Sequence, residues 1–150
     1  MNKAMDRLRR LGVLIPVFSL RRDDDLGIGD TRALREMIDW AAEHRVGFLQ
    51  LLPINETGSD SSPYNAISSV ALDPALLDLE AIPEISLTDI RDESVDLPDE
   101  DLVKYSVSLK SKWNLLKKGF EEFWNAKEID SDFNHFCNGL EAKRKFDVIA

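Results

Sequence analysis

The residues best suited to meet a ligand stand together at Ser62-Pro63-Tyr64. Proline restricts the backbone just ahead of an aromatic ring, and a phenol can stack on an apolar ligand face while its hydroxyl makes a hydrogen bond. Taken alone, the simpler reading of Tyr64 is a loop tyrosine packed on a rim. Ser62 could bond a ligand hydroxyl or cap a turn, and Pro63 is read as fixing the loop backbone.

Other candidates carry less. Gly27-Ile28-Gly29 ahead of a helix invites a dinucleotide site, but the third glycine is replaced by Arg32, and Asp23, Asp24 and Asp25 would repel a pyrophosphate. Gly27 and Gly29 are instead expected to supply turn conformations closed to other residues, and Asp23 to Asp25 read as a solvated charge run. His44 and His135 have no metal-ligand partner at helical spacing. Cys137, beside Phe136 and without a basic neighbour, reads as a buried small hydrophobe. Asp89, Asp92, Glu93, Asp96, Asp99, Glu100 and Asp101 lack the spacing of a calcium loop and read as a solvated connector. No cofactor or metal is expected.

Two elements must position the Ser62-Pro63-Tyr64 loop. Residues 11–18 are a continuous apolar run, the pattern of a strand buried on both faces of a parallel sheet or of a buried helix, with Gly12 and Pro16 favouring the strand and Pro16 near its end; residues 47–53, mostly apolar and closed by Pro53, read as a second strand. Between them Leu34, Met37, Ile38 and Ala41 follow helical spacing. Asp30 is a candidate N-cap, His44 and Arg45 fall in the last turn, and Gly47 lies just beyond. Strand, helix and strand form one βαβ unit. The loops 19–29 and 54–69 then leave the same sheet edge, where α/β proteins bind ligands. Around Asp73-Pro74 a turn-rich segment is expected. Further on, Leu109, Trp113, Leu116, Phe120 and Phe123 predict a helix with an apolar stripe, lysines opposite and the aromatics in the core; residues 133–146 suggest a weaker helix.

The 150 residues, 43% hydrophobic and 31% charged, suit one globular domain with a buried core. A net charge of -9 opposes a nucleic-acid partner. One cysteine excludes an internal disulfide and makes a reducing, cytoplasmic setting the expectation. Lys3, Arg7, Arg9 and Arg10 before an apolar run imitate a signal peptide, but Pro16 interrupts the run, no small-residue cleavage site follows, and 21–25 are charged. No apolar stretch approaches the length of a membrane span. The sequence sets no oligomeric state.

The succession Ser19-Leu20, Gly27-Ile28-Gly29-Asp30, Leu52-Pro53, Ser62-Pro63-Tyr64 and Asp73-Pro74 resembles the opening of the amylomaltase, or 4-alpha-glucanotransferase, family. The resemblance is dense over 12–79 and continues weakly over 103–116. Ile67 and Val70 stand where that family commonly has aromatics, and Asp73 stands for its usual Asn. The resemblance implies an α/β fold, the first part of a (β/α)8 barrel with a helical insertion after the second strand. Residues 1–84 would be the barrel portion, 85–101 an acidic connector and 102–150 the start of the insertion. It implies transfer of alpha-1,4-glucan or malto-oligosaccharide segments by a retaining double displacement. It also implies a sugar site lined by Tyr64 with Ser62 and Pro63. The family's catalytic carboxylates sit on later strands, beyond Ala150, so no acid here is assigned a catalytic role and the chain alone is expected to be inactive. Two alternatives stay open: a non-catalytic carbohydrate-binding or regulatory remnant, and a hydrolase of the wider alpha-amylase superfamily.

Overall fold

Strand β1 (Gly12–Ile15) and strand β2 (Phe48–Leu51) lie side by side in parallel, Gly12 opposite Phe48 and Ile15 opposite Leu51. The computed structural model describes residues 11–95, 102–125 and 135. Parallel strands need a crossover, and helix α1 (Thr31–Glu43) supplies it. Both strands are shorter than the apolar runs that announce them. Pro16, with no N–H to give, closes β1 and opens a 3-10 turn at Val17–Ser19.

Burial of the strands on both faces does not hold among the described residues: Leu14 and Phe48 are mostly exposed, and only alternate positions turn inward. The described sheet has two strands and one covered face. On the open face the Phe48 ring lies over Gly12, where any Cβ would fall within 2.1 Å of it.

Helix α1 starts where the sequence places it. The Asp30 side chain accepts from the N–H groups of Arg32 and Ala33, both at 3.0 Å. Its end differs from expectation. Arg45 takes the left-handed conformation at φ 57°. Val46 N–H reaches Ala41 O at 2.8 Å and Arg45 N–H reaches Ala42 O at 3.3 Å, the paired bonds of a Schellman stop. Gly47 has a different task, donating to Leu11 O at 2.7 Å where the strands begin to pair.

The acidic stretch expected as a solvated connector contains helix α2 (Leu87–Val95). Ser86 Oγ accepts from Asp89 N–H at 3.1 Å to start it, and Ile85 and Ile90 are buried. These apolar positions, spaced among the acids, give the segment something to bury. Asp96, Asp99, Glu100 and Asp101 lie outside the described residues, as do Cys137 and, apart from His135, the segment 133–146.

Helix α3 (Tyr105–Asn125) corrects the predicted stripe. Its buried residues are Ser108, Ser111, Lys112, Leu115 and Gly119, whereas Trp113 is 51% and Phe120 53% exposed. Close approach decides the face: a Cβ at Gly119 would stand 2.8 Å from Ile85 Cγ1, so small residues must point inward. Leu109 and Leu116, at the edges of that face, are half-buried against the core. The outer aromatics line an open apolar groove of about 540 Å³ with Pro74, Leu77 and Leu116. No described helix is long and apolar enough to cross a membrane.

Two clusters make the core. Val17, Ile28, Ala75 and Leu76 join the strand ends to the turn after Asp73, with Leu51, Ile54, Leu72 and Leu109 packed on them. Leu26, Leu79, Ile85, Ile90 and Leu115 join the first loop to α2 and α3.

Candidate functional site

Chain leaving β2 at the sheet edge turns back on itself as a narrow antiparallel arm. Asn55 bridges Leu72 and Thr57 bridges Ala66, with Glu56 N–H donating to Ala71 O at 3.0 Å and Ile67 N–H to Glu56 O at 2.9 Å. At the tip, Asn65 N–H donates to Ser62 O at 3.0 Å, so Ser62-Pro63-Tyr64-Asn65 is a β-turn with proline at its second position. Pro63 thus fixes the backbone, as its residue type suggests. Tyr64 follows and is 76% exposed, its ring offered to solvent and not packed on a rim.

Asp60 organises the tip, a role the sequence reading missed. Its carboxylate accepts from Asn65 Nδ2 at 2.9 Å and from Ser62 N–H at 3.2 Å. The Asn65 amide and then the Ser62 N–H hold its pKa below the usual carboxylate range. An Asp two residues before Ser62 and three before a proline is the available signal, since Asp commonly bonds its own backbone two residues on. Ser62 enters the turn through its backbone, its N–H donating to Asp60 and its carbonyl accepting from Asn65.

Beneath the arm lies Asp73, 3% exposed. Its Oδ1 accepts from Ala75 N–H at 2.9 Å, capping the turn predicted at Asp73-Pro74. Its Oδ2 accepts from Thr57 N–H at 3.4 Å, Thr57 Oγ1 at 3.2 Å and the Tyr105 hydroxyl of α3. Burial, and then the neighbouring carboxylate, raise the Tyr105 pKa well above its ordinary value.

The other edge loop, after β1, supports this one through Ile28, which is fully buried in the cluster that holds Ile54 and Leu72. Gly27 takes φ 76°, as a turn glycine should. Gly29 is needed for closeness: a Cβ there would stand 2.3 Å from Val17 O and 2.5 Å from Leu20 O. Asp25 is not part of a solvated run. Its side chain is buried, accepting from Arg22 N–H at 2.7 Å and Gly27 N–H at 2.8 Å and pairing with Arg21 at 2.7 Å. Asp23 and Asp24 are exposed.

Lys112, which the sequence does not single out, lies on the inner face of α3. It is 1% exposed, with Nζ donating to Leu77 O at 2.7 Å and standing 3.7 Å from Asp30 Oδ2. Helix α3 is thereby tied to the first turn of α1. Elsewhere, His44 stacks on Trp40 at 4.6 Å and its Nδ1 lies 2.8 Å from Trp40 O, a helix-end contact, and His135 is exposed. Among the described residues no group of three or more His, Cys, Asp or Glu side chains could hold a metal ion.

Parallel strands joined through a helix, with loops projecting from their carboxyl ends, define an α/β protein. The family described as 4-alpha-glucanotransferase, glycoside hydrolase family 77, matches residues 15–146, and the chain belongs to it. The 4-alpha-glucanotransferase of Chlamydia pneumoniae is 33% identical over 138 residues, 89% of this chain and 26% of that protein. The 4-alpha-glucanotransferase DPE2 of Oryza sativa subsp. japonica is 37% identical over 141 residues, 89% of this chain and 15% of that protein. The fold matches the amylomaltase of Streptococcus agalactiae in complex with acarbose, with TM-score 0.69 and 24% identity over 92% of this chain and 28% of that one. The chain thus spans about a quarter or less of the length of these relatives.

Proposed function

We propose that this chain forms the amino-terminal, substrate-facing part of a 4-alpha-glucanotransferase that moves alpha-1,4-glucan segments to glucose or another glucan. On this reading β1 and β2 are the first strands of a (β/α)8 barrel within 1–84, and 102–150 begins a helical insertion. The substrate is a malto-oligosaccharide, which Tyr64 stacks against while Pro63 and Ser62 hold the turn that presents it. A cytoplasmic setting is part of the proposal and rests on the single cysteine.

The observation that carries the proposal is the exposed Tyr64 ring on a doubly braced turn, at the carboxyl edge of parallel strands, in a chain of this family. A retaining transfer needs two carboxylates about 5 Å apart, one as nucleophile and one as acid/base. The buried acids Asp25, Asp30 and Asp73 are each engaged by backbone N–H groups or by Lys112 and Tyr105. They are therefore assigned to structure. The chemistry is assigned to a part of the enzyme other than 1–150, and the isolated chain is expected not to transfer glucan.

In a complete glucanotransferase carrying this region, Tyr64→Ala should lower disproportionation of maltotriose without loss of thermal stability. Removing one stacked ring costs about 1 to 3 kcal/mol, roughly ten- to hundredfold in rate constant when stacking tightens in the transition state. Unchanged transfer kinetics would refute the sugar role of Tyr64. Measurable transfer by residues 1–150 alone would overturn the placement of the chemistry elsewhere.

A further inference from the structure

Three segments meet at the buried Asp73 carboxylate: the arm that carries Tyr64, the turn at Pro74–Leu76, and the first turn of α3. Ala75 N–H approaches one carboxylate oxygen while Thr57 and Tyr105 approach the other, so both oxygens must accept. A carboxylate can do this and an amide cannot. Because the carboxylate only accepts, the Thr57 and Tyr105 hydroxyls are both oriented as donors, and bonds to a charged acceptor are about twice as strong as neutral ones. Tyr105 is itself held edge-on to Phe18, ring centroids 6.4 Å apart, beside the end of β1. The path from helix to ligand edge is short: Tyr105 to Asp73, Asp73 to Thr57, Thr57 across the bridge to Ala66, and so to Tyr64.

We propose that Tyr105 and Asp73 are positioning residues, which hold the arm bearing Tyr64 in a fixed place relative to α3 and so set the affinity of that arm for saccharide. The last step rests on the sugar role proposed above; the mechanical step does not. Tyr105→Phe removes one hydroxyl and keeps the ring against Phe18, and Thr57→Val removes the other side-chain donor.

Amide hydrogen exchange on the full chain separates the two steps. Tyr105→Phe is expected to speed exchange across 55–67 about tenfold, leaving 12–15 and 48–51 unchanged; Thr57→Val should do the same should the first variant fail to fold. No change at 55–67, or an equal rise throughout the chain, would overturn the positioning role. Ultraviolet titration of Tyr105 supplies a second readout, since burial and then the Asp73 carboxylate both raise its pKa. Asp73→Asn should bring ionisation of Tyr105 back toward the ordinary range, and an unmoved Tyr105 titration would show that the carboxylate does not govern it. With maltoheptaose present, exchange at 60–67 should slow in the wild type and less so in Tyr105→Phe. Equal protection in both would overturn the link from position to affinity. No protection in either, alongside faster exchange in the variant, would leave the positioning role standing and remove the saccharide reading.

Discussion

Replacing Lys112 by methionine keeps most of the side-chain length and removes the charge. Two effects oppose each other. The ammonium is buried, and relieving its desolvation favours the variant. Against this, the bond to Leu77 O at 2.7 Å is lost and Asp30, itself buried, loses a cation 3.7 Å away. A hydrogen bond from a charged group contributes about 1.5 to 3 kcal/mol, and an abandoned buried acceptor costs about 1 to 3. Asp30 keeps its two N–H donors, which limits the damage on that side. The expected net loss is about 1 to 3 kcal/mol for Lys112→Met, with about 2 more for Lys112→Ala, which also leaves a cavity. Urea unfolding followed by tryptophan fluorescence measures it: with a slope of about 1 to 3 kcal/mol per molar, a 2 kcal/mol loss moves the midpoint by about 1 M. A methionine variant as stable as the wild type would refute the reasoning and show that desolvation outweighs the bonds. The pH dependence offers a second test. Burial lowers the Lys112 pKa, with Asp30, Asp25 and Asp78 pulling the other way. The folded state therefore gives up this proton first, and its stability rises with pH between the lowered value and about 10.4. Lys112→Met lacks that rise, so the wild-type advantage should widen toward pH 10.

Asp30→Ala should cost more than the roughly 1 kcal/mol of an ordinary lost cap, about 3 kcal/mol, because it strands the Lys112 charge. Adding Lys112→Met to it should recover part of the loss, and a strictly additive double variant in urea titrations would contradict the pairing. Gly29→Ala should cost about 3 kcal/mol or more, since its Cβ meets backbone carbonyls that cannot turn away; a midpoint within error of the wild type would refute this. The raised Tyr105 pKa means that its contribution to stability is intact below about pH 10 and falls as pH climbs toward the folded value. Tyr105→Phe should flatten the alkaline loss, measured as unfolding midpoint against pH.

The features legible in the sequence are those set by near neighbours. Asp30 as a cap, α1 as the crossover, Pro16 as a strand end and the turn at Asp73-Pro74 all follow from residues a few positions apart. The stop of α1 was misplaced because a glycine stands at 47 while the left-handed position falls on Arg45, where the start of strand pairing leaves no later choice. The buried face of α3 was misread because apolar periodicity selects the bulkiest stripe. The structure instead selects Ser108, Ser111 and Gly119, small enough for close approach to Ile85 and its neighbours. Lys112 and Asp73 were out of reach for a related reason. Their partners, Leu77 O and Asp30 for one, Thr57 and Tyr105 for the other, come from segments that only the folded chain brings together. Tyr64 was legible as a candidate through its proline and its place after a strand, whereas Asp60, which holds its turn, was not singled out.

The tie between Asp30 and Lys112 also sets an order of events during synthesis. A ribosome delivers the chain amino end first, and β1, α1 and β2 can pair once residue 51 has emerged. The cluster around Leu26 still lacks Leu115, and Asp30 still lacks its cation, until α3 has cleared the exit tunnel. Until Leu115 arrives, Leu26 and Leu79 have only the α2 side of their cluster, Ile85 and Ile90, to cover them, and they leave the kind of transient apolar surface that chaperones hold and that aggregation exploits. Translation speed between β2 and α3 therefore governs how long this region remains open to either fate.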